Sequence, residues 1–237
     1  MSAALVDLKG DLHVHSTFSD DAESTLAENL DAAHERGITT IRLVEHVRRG
    51  TAWVPDFLAA LARESRRDGL VVLTGVEAKL LDATGRLDLP PRLTGIDTVL
   101  IADHQFPSPE GEPWTPTETR RRLAGDLSVE TALELLITGL VKAMQSTPSA
   151  QLAHCFSILP KIGLNEDDLN DDQLHRWADA AACTGTSIEL NEKWHCPGPR
   201  AVTAARAAGA ELVAATDSHV ARDVGRYDWV RGMVEAS

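Results

Sequence analysis

Six of the nine histidines in the sequence stand at the ends of short apolar stretches. They occur in the segments DLHVH, VEH, ADH, LAH and TDSH, as His13, His15, His46, His104, His154 and His219. His13 and His15 are two residues apart, so on a β-strand both imidazoles project to the same face and can bind one metal ion. The residue types and their spacing therefore predict a metal site.

Carboxylates occur at matching places in the sequence. Glu77 follows the apolar run VVLTGV, Asp217 precedes His219 by two residues, and Asp20 and Asp21 follow the first histidine pair within a few residues. Mixed histidine and carboxylate ligation is typical of zinc, manganese or iron rather than calcium or magnesium. Six histidines with Glu77, Asp217 and one of the two adjacent aspartates are too many for one tetrahedral ion, so we expect two or three divalent transition-metal ions that share a bridging carboxylate.

These side chains are predicted to sit at the ends of strands. Seven apolar segments rich in branched residues are predicted strands, at 10–15, 39–45, 70–76, 97–102, 150–153, 187–190 and 211–215. Helical patterns alternate with them, one opening at the Thr25–Glu28 capping box and others at 54–68, 128–145, 171–184, 199–208 and 223–235. This alternation predicts a parallel sheet closed into a barrel, whose strand ends converge on one face.

The segment 106–126 contains four prolines and is predicted to be irregular. It follows a predicted strand, so in a barrel it lies at the face where the strands end. A long loop there is either a lid over the site or a plain surface insertion, and the sequence leaves both open.

Composition narrows the class of protein. A formal net charge of −13 disfavours binding to a nucleic-acid polymer or to an anionic membrane. Three cysteines without CxxC spacing, and no long apolar run at the N-terminus, predict a cytoplasmic protein. No break in composition divides the chain, so we expect a single barrel domain over residues 1–237. The oligomeric state is left open.

In their order, the motifs DLHVHS, VEH, TGVE, ADH, LAH and TDSH resemble those of the PHP (polymerase and histidinol phosphatase) superfamily. The resemblance covers essentially the whole chain. It implies an α/β fold, a distorted (β/α)7 barrel that is TIM-like, with a trinuclear metal site at the C-terminal face of the strands. The strand count of seven made from the sequence pattern agrees with that fold.

The resemblance also implies a division of the ligands among three ions. The first ion would be held by His13, His15 and Asp217, and the second by His104 and His154, with Glu77 bridging the two.

The third ion would be held by His46, His219 and an acid of the SDD segment, where we prefer Asp21 and keep Asp20 as the alternative. One departure from the family pattern is Glu45, which precedes His46 where an aspartate is usual. It could change the orientation of that imidazole.

The predicted reaction is hydrolysis of a phosphate ester by metal-activated hydroxide. The residues assigned to catalysis are His13, His15, Glu77, Asp217 and His219. The expected substrate is a small anionic phosphorylated compound such as histidinol phosphate, a nucleotide or a sugar phosphate. Two alternatives are a non-catalytic metal-binding PHP domain and an amidohydrolase-like hydrolase of C–N bonds.

Cations near the predicted site are candidates for binding the substrate, because arginine and lysine bind phosphate. They are Arg48, Arg49, Lys79, Arg120, Arg121, Arg122 and Lys193. Glu189 and Asn191 alternate at the end of a predicted strand and are candidates for supporting the ligands or touching the substrate.

Overall fold

Short runs of branched apolar residues form seven parallel strands in the computed structural model, which describes residues 6–235. The strands are β1 (Gly10–Val14), β2 (Thr40–Val47), β3 (Val71–Lys79), β4 (Thr98–Ala102), β5 (Gln151–Ala153), β6 (Ser187–Asn191) and β7 (Leu212–Ala215). Each strand pairs with the next along the chain. A parallel bridge between Val14 and Ser218 brings the two edges together, and the His15 amide donates to the Ser218 carbonyl at 2.8 Å. The predicted seven-stranded, TIM-like barrel is therefore confirmed.

Eight helices accompany the strands in the described part of the chain. They are α1 (Leu26–Glu35), α2 (Val54–Leu61), α3 (Pro116–Leu123), α4 (Val129–Ser146), α5 (Ile158–Ile162), α6 (Asp171–Thr184), α7 (Pro199–Ala208) and α8 (Trp229–Glu235). The predicted capping box starts α1: the Thr25 amide donates to Glu28 Oε2 at 2.8 Å, and the Glu28 amide donates to Thr25 Oγ1 at 3.3 Å. None of these helices is both long enough and apolar enough to cross a membrane.

Strand alternation separates the apolar layer from the site. Val14 packs outward against Leu26 and Leu30 of α1, so its neighbours on β1 point into the barrel. Val76 and Ala78 pack outward on β3 in the same way, which leaves Glu77 facing inward. The result is an apolar shell around a polar barrel mouth.

Three elements differ from the sequence prediction. Helix α2 ends at Leu61 rather than at 68, because the residues that follow it are mostly charged and lack an apolar face. The predicted helix 223–235 begins only at Trp229, since Gly225 takes a φ of +67° that a helix does not accommodate. Helix α5 was not predicted, because five residues are too few to show a periodic pattern.

The segment 106–126 is ordered rather than irregular. Phe106 and Trp114 form an antiparallel bridge with their rings 6.2 Å apart, and Phe106 is fully buried. Thr115 then caps α3, with Pro116 in the first turn. Helix α3 packs against α5, so this segment is part of the packed structure rather than an irregular loop.

Candidate metal centre

The six histidines and three acids meet at the C-terminal end of the barrel. They come from the ends of β1, β2, β3, β4, β5 and β7 and from the loop after β1, and they are His13, His15, Asp21, His46, Glu77, His104, His154, Asp217 and His219. At two of these strand ends the backbone turns sharply, with φ of 29° at His154 and 51° at Asp217. Positive φ at non-glycine residues costs free energy and is concentrated at functional sites.

Glu77 lies at the centre of the cluster. Its Oε1 is 2.9 Å from His154 Nε2 and 3.1 Å from His104 Nε2, while its Oε2 is 2.8 Å from His46 Nδ1. The side chain is fully buried. Each carboxylate oxygen therefore faces a different set of imidazoles, which is the arrangement a bridging ligand needs.

His13, His15 and Asp217 form one side of the cluster. His13 Nε2 lies 2.9 Å from His15 Nε2, and His15 Nε2 lies 3.2 Å from Asp217 Oδ1. The second oxygen of Glu77 is 3.6 Å from His15 Nε2 and 3.7 Å from His13 Nε2. Two imidazoles two residues apart on β1 thus converge as the strand period predicts.

Asp21 and Asp20 have different surroundings. Asp21 lies between two imidazoles, with Oδ1 3.3 Å from His46 Nε2 and Oδ2 3.3 Å from His219 Nε2. The Asp20 side chain is 77% exposed and lies 3.6 Å from Arg48 Nη2. The geometry therefore favours Asp21 as the acid of the third ligand group.

The donor set fits divalent metal ions. Three groups hold their ligand atoms within 4.8 Å of one another: His15, His46 and His219; His13, His15 and Glu77; and His46, Glu77 and His104. Within residues 6–235 the buried Oε2 of Glu77 accepts no well-aligned hydrogen bond, although His46 Nδ1 lies 2.8 Å from it. A buried carboxylate oxygen without a donor is costly in a protein unless a cation binds it. Nitrogen and carboxylate ligands together suit borderline ions such as zinc.

The acids of the cluster are ionised in spite of their burial. Burial by itself raises the pKa of Glu77, but the charges of His104 and His13 hold it well below its usual value. Burial likewise opposes ionisation of Asp217, and the hydrogen bond with His15 and the charge of His13 lower its pKa well below the usual range. Both acids are therefore available as anionic ligands.

The pKa values of the imidazoles shift in different directions. Burial lowers the pKa of His15 to about 3, so this ring is neutral, as a metal ligand must be. Burial also opposes protonation of His154, yet hydrogen bonds with Asp103 and Glu77 raise its pKa to about 10. The cluster thus draws positive charge to itself, and a divalent cation would take the place of that proton.

Buried acids behind the cluster orient its rings. Glu189 Oε1 is 2.8 Å from His13 Nδ1, and its Oε2 accepts hydrogen bonds from the His154 amide at 2.9 Å and from Asn191 Nδ2 at 3.0 Å. Of the two roles predicted for Glu189, these contacts fit support of the ligands rather than contact with a substrate. Ligand-orienting groups of this kind raise metal affinity.

Asp103 supports His154 through a serine. Its Oδ1 accepts from Ser157 Oγ at 2.9 Å, and Ser157 Oγ lies 3.1 Å from His154 Nδ1. Neither Asp103 nor Ser157 is among the residues predicted from the sequence. The position of Asp103 directly before His104 was the available signal.

Glu45 fixes the loop that carries Asp21. Its carboxylate accepts from the Ser16 amide at 3.1 Å, from Ser16 Oγ, and from Ser19 Oγ at 2.6 Å. Ser19 Oγ also accepts the His46 amide at 3.0 Å. Glu45, which stands where an aspartate is usual, therefore bonds to the loop after β1 rather than to the His46 ring.

A cavity of about 360 Å³ opens above the cluster. Three of the predicted substrate-binding cations line it, namely Arg48, Lys79 and Lys193. Lys161, Gln105 and Trp194 also line it. Lys161 was missed because it lies on the short helix α5 rather than at a strand end.

The structure does not bring the other predicted cations into this cavity. Arg49 is exposed, and its amide donates to Asp88. Arg120, Arg121 and Arg122 lie on α3: Arg120 donates to the Lys161 carbonyl at 2.9 Å, and Arg122 pairs with Glu118 at 2.7 Å. The predicted loop is a helix packed beside α5, so its arginines lie outside the cavity lining.

Comparison with known proteins agrees with this geometry. A probable phosphatase of Caldanaerobacter subterraneus subsp. tengcongensis is 26% identical over 229 residues, which are 92% of this chain and 79% of that protein. A probable phosphatase of Vibrio parahaemolyticus is 30% identical over 115 residues, 46% of each chain.

A solved structure shares the fold. Histidinol phosphate phosphatase from Lactococcus lactis subsp. lactis, complexed with zinc, L-histidinol and phosphate, superposes with a TM-score of 0.67. The match has 16% sequence identity and covers 96% of this chain and 92% of that one. The family model of the PHP domain matches residues 11–193, which include seven of the nine candidate ligands, all but Asp217 and His219. This chain therefore belongs to the PHP domain family.

Proposed function

We propose that this chain, a metal-dependent phosphoesterase of the PHP family, hydrolyses monoesters of small phosphorylated compounds. The observation that carries the proposal is Glu77, a buried carboxylate with imidazoles within 3.1 Å of both of its oxygens. Such a centre suits two or three ions of zinc, manganese or iron. When bound, ions of this kind lower the pKa of water and offset the charge of a phosphoryl group.

In this proposal, different residues hold different parts of the metal centre. His13, His15 and Asp217 hold one edge of the centre, and Glu77 joins it to the imidazoles of β2, β4 and β5. His219 and Asp21 hold the outer edge beside the cavity.

Lys193 is placed to bind an oxygen of the phosphoryl group. Its Nζ lies 3.3 Å from Asp217 Oδ2 and 3.1 Å from His219 Nδ1, at the wall shared by the cavity and the ligands. Trp194 Nε1 donates to Asp217 Oδ2 at 2.7 Å and so fixes the carboxylate that faces His15.

Three lines of support point to a small substrate. The curated relatives are named probable phosphatases, and the solved neighbour is described with histidinol and phosphate. A cavity of 360 Å³ has the size of a small-molecule site. The net charge of −13 opposes binding of a long phosphate backbone.

The test is hydrolysis of 4-nitrophenyl phosphate by protein reconstituted with zinc, manganese or iron, before and after chelation. We expect turnover that is lost on chelation and restored by metal. Glu77→Gln should abolish it, whereas Glu110→Gln, at an exposed loop position, should not. Metal binding without turnover on any phosphate monoester would favour the non-catalytic reading, and turnover on an amide alone would favour the C–N hydrolase.

A further inference from the structure

The lysines of this acidic chain are concentrated at one place. The sequence has only five lysines, and three of them, Lys79, Lys161 and Lys193, line the cavity above the metal ligands. The other two are Lys9 and Lys142. The acids Asp20, Asp21, Glu77 and Asp217 line the same cavity. Three of them are candidate metal ligands and Asp20 lies 3.6 Å from Arg48, so the lysines are the side chains left there to bind an anion.

Only one of the three lysines is engaged by the ligand cluster. Lys193 pairs with Asp217, as described above. Lys79 Nζ lies 3.1 Å from the amide oxygen Gln105 Oε1, and Lys161 Nζ lies 4.0 Å from the centre of the Trp194 ring. Within residues 6–235, neither has a carboxylate oxygen inside 4.0 Å. Two ammonium groups are therefore free to bind an anion from solution.

These two lysines follow strands other than the one before Lys193, although Lys161 and Lys193 both lie near the Trp194 ring, at 4.0 and 5.7 Å from its centre. Lys79 follows Glu77 by two residues on β3, which places it about 7 Å further along the strand toward the mouth. Lys161 lies on α5, which follows β5, and Gln105 lies after β4 between them. Lys193 follows β6 on the side of Asp217 and His219. If Lys193 contacts the phosphoryl group of an ester at the ligand cluster, Lys79 and Lys161 are the ammonium groups of the cavity left to meet its leaving group.

We propose that the substrate carries a second anionic group, a carboxylate or another phosphoryl group, which Lys79 and Lys161 bind. This inference rests on the proposed phosphoesterase function and specifies its substrate class. A leaving group with an amine would meet two ammonium groups of like charge, so a cationic ester is disfavoured. Arg48 contributes less to this subsite, because Asp20 lies 3.6 Å from its guanidinium.

The experiment compares matched esters on the metal-loaded protein. The probes are phenyl phosphate, 3-carboxyphenyl phosphate, benzene-1,3-diyl bisphosphate and 3-(aminomethyl)phenyl phosphate. We expect kcat/KM for the carboxylate or the bisphosphate to exceed that for phenyl phosphate by roughly 10- to 100-fold, as a charge-assisted contact provides. The aminomethyl ester should be the slowest. The carboxylate and bisphosphate arms distinguish the two kinds of anion.

Substitutions of single lysines test which of them cause the preference for an ester with a second anionic group. Lys161→Met and Lys79→Met should each reduce the ratio of kcat/KM between the carboxylated ester and phenyl phosphate toward 1, and Lys161→Arg should retain it. Lys142→Met, an exposed lysine on α4, should leave both the ratio and the activity as they are.

Two results would overturn the inference while leaving the phosphoesterase intact. One is a wild-type protein that hydrolyses phenyl phosphate or the aminomethyl ester as fast as the probes with a second anionic group. The other is an equal loss on all esters in the two methionine variants, which would assign these lysines to the transferred phosphoryl group. A metal-loaded protein that hydrolyses none of the four esters would refute the proposed function itself, and the substrate class with it.

Discussion

Glu77 and Asp82 are two buried carboxylates five residues apart, and their surroundings differ in kind. Asp82 accepts four hydrogen bonds from fixed donors: the Thr84 amide at 2.9 Å, Thr84 Oγ1 at 2.5 Å, Arg86 Nε at 2.8 Å and the Gly111 amide at 2.9 Å. Glu77 is surrounded by imidazoles, and within residues 6–235 its Oε2 accepts no well-aligned hydrogen bond, although His46 Nδ1 lies 2.8 Å away.

The difference shows how a ligand and a structural acid can be told apart. Asp82 holds the connection between β3 and β4 closed, and its bonds saturate both oxygens. The neighbours of Glu77 are imidazoles, which can bind cations as Glu77 can. This cluster of ligands therefore needs a bound cation to balance its charge. Burial is common to both, and the chemistry of the partners separates them.

The largest effect is expected from Glu77→Gln. The change keeps the size of the side chain but removes the anion that faces the imidazoles on both sides. We expect hydrolysis to fall by more than the roughly 10- to 100-fold typical of losing a group that only orients a ligand. Steady-state kinetics on 4-nitrophenyl phosphate with saturating metal measures it. Near-wild-type turnover in this variant would contradict the proposal that Glu77 is a metal ligand whereas Asp82 is a structural acid.

Bound metal should raise the free energy of unfolding of the wild-type protein. A ligand that binds only the folded state at 1,000 times its Kd adds about 4 kcal/mol to the free energy of unfolding. We expect the Tm of the metal-free protein to rise on addition of zinc or manganese, and the same rise in Asp82→Asn. Glu77→Gln should show a much smaller rise. Equal shifts in the two variants would contradict the roles assigned to the two acids.

Glu189 is intermediate between Glu77 and Asp82, so Glu189→Gln is the next variant to compare. Glu189 is saturated by neighbours, as Asp82 is, but one of them is the ligand His13. We expect metal affinity to fall roughly 10- to 100-fold, measured by competition with a chelator. Affinity equal to that of the wild type would show that the orientation of His13 does not depend on Glu189.

The smallest effect concerns stability at low pH. Burial opposes ionisation of Asp82, but hydrogen bonds from Thr84, Gly111 and Arg86 lower its pKa to about 2 from the usual 3.8. A depressed carboxyl pKa stabilises the fold above pH 4 by about 2 kcal/mol, and this is lost as the pH falls through about 2.

Urea unfolding at pH 7 and pH 2.5 measures this contribution. The difference in the free energy of unfolding between wild type and Asp82→Asn should shrink at the lower pH. Asp179→Asn, on the exposed face of α6, serves as the control and should show little difference at either pH. A difference that does not change with pH would mean that the lost bonds, rather than the charge, explain the variant.

The sequence allowed the barrel and the convergence of the nine candidate ligands to be predicted, because both follow from local rules. Strand ends are visible in short apolar runs, and parallel strands bring their ends to one face. Metal binding by each of these residues stays a prediction.

What the sequence did not reveal depends on packing between distant segments. Lys161 reaches the cavity only because α5 folds over the barrel mouth, and Arg120 is held outside by its bond to the Lys161 carbonyl. The cap of α3 at Thr115 was present in the sequence, but four prolines obscured it. The link from Glu45 to Ser16 and Ser19 spans more than 25 residues and carries no local signal.

The central claim is that Glu77 joins the metal ions of a hydrolytic centre. The most direct measurement is metal content per chain by plasma mass spectrometry in wild type and Glu77→Gln, with phosphate-ester hydrolysis assayed on the same samples. We expect two or three transition-metal ions per wild-type chain, and in the variant fewer ions and no turnover. A wild-type protein that binds no metal after reconstitution, or a variant with the full complement and full activity, would contradict it.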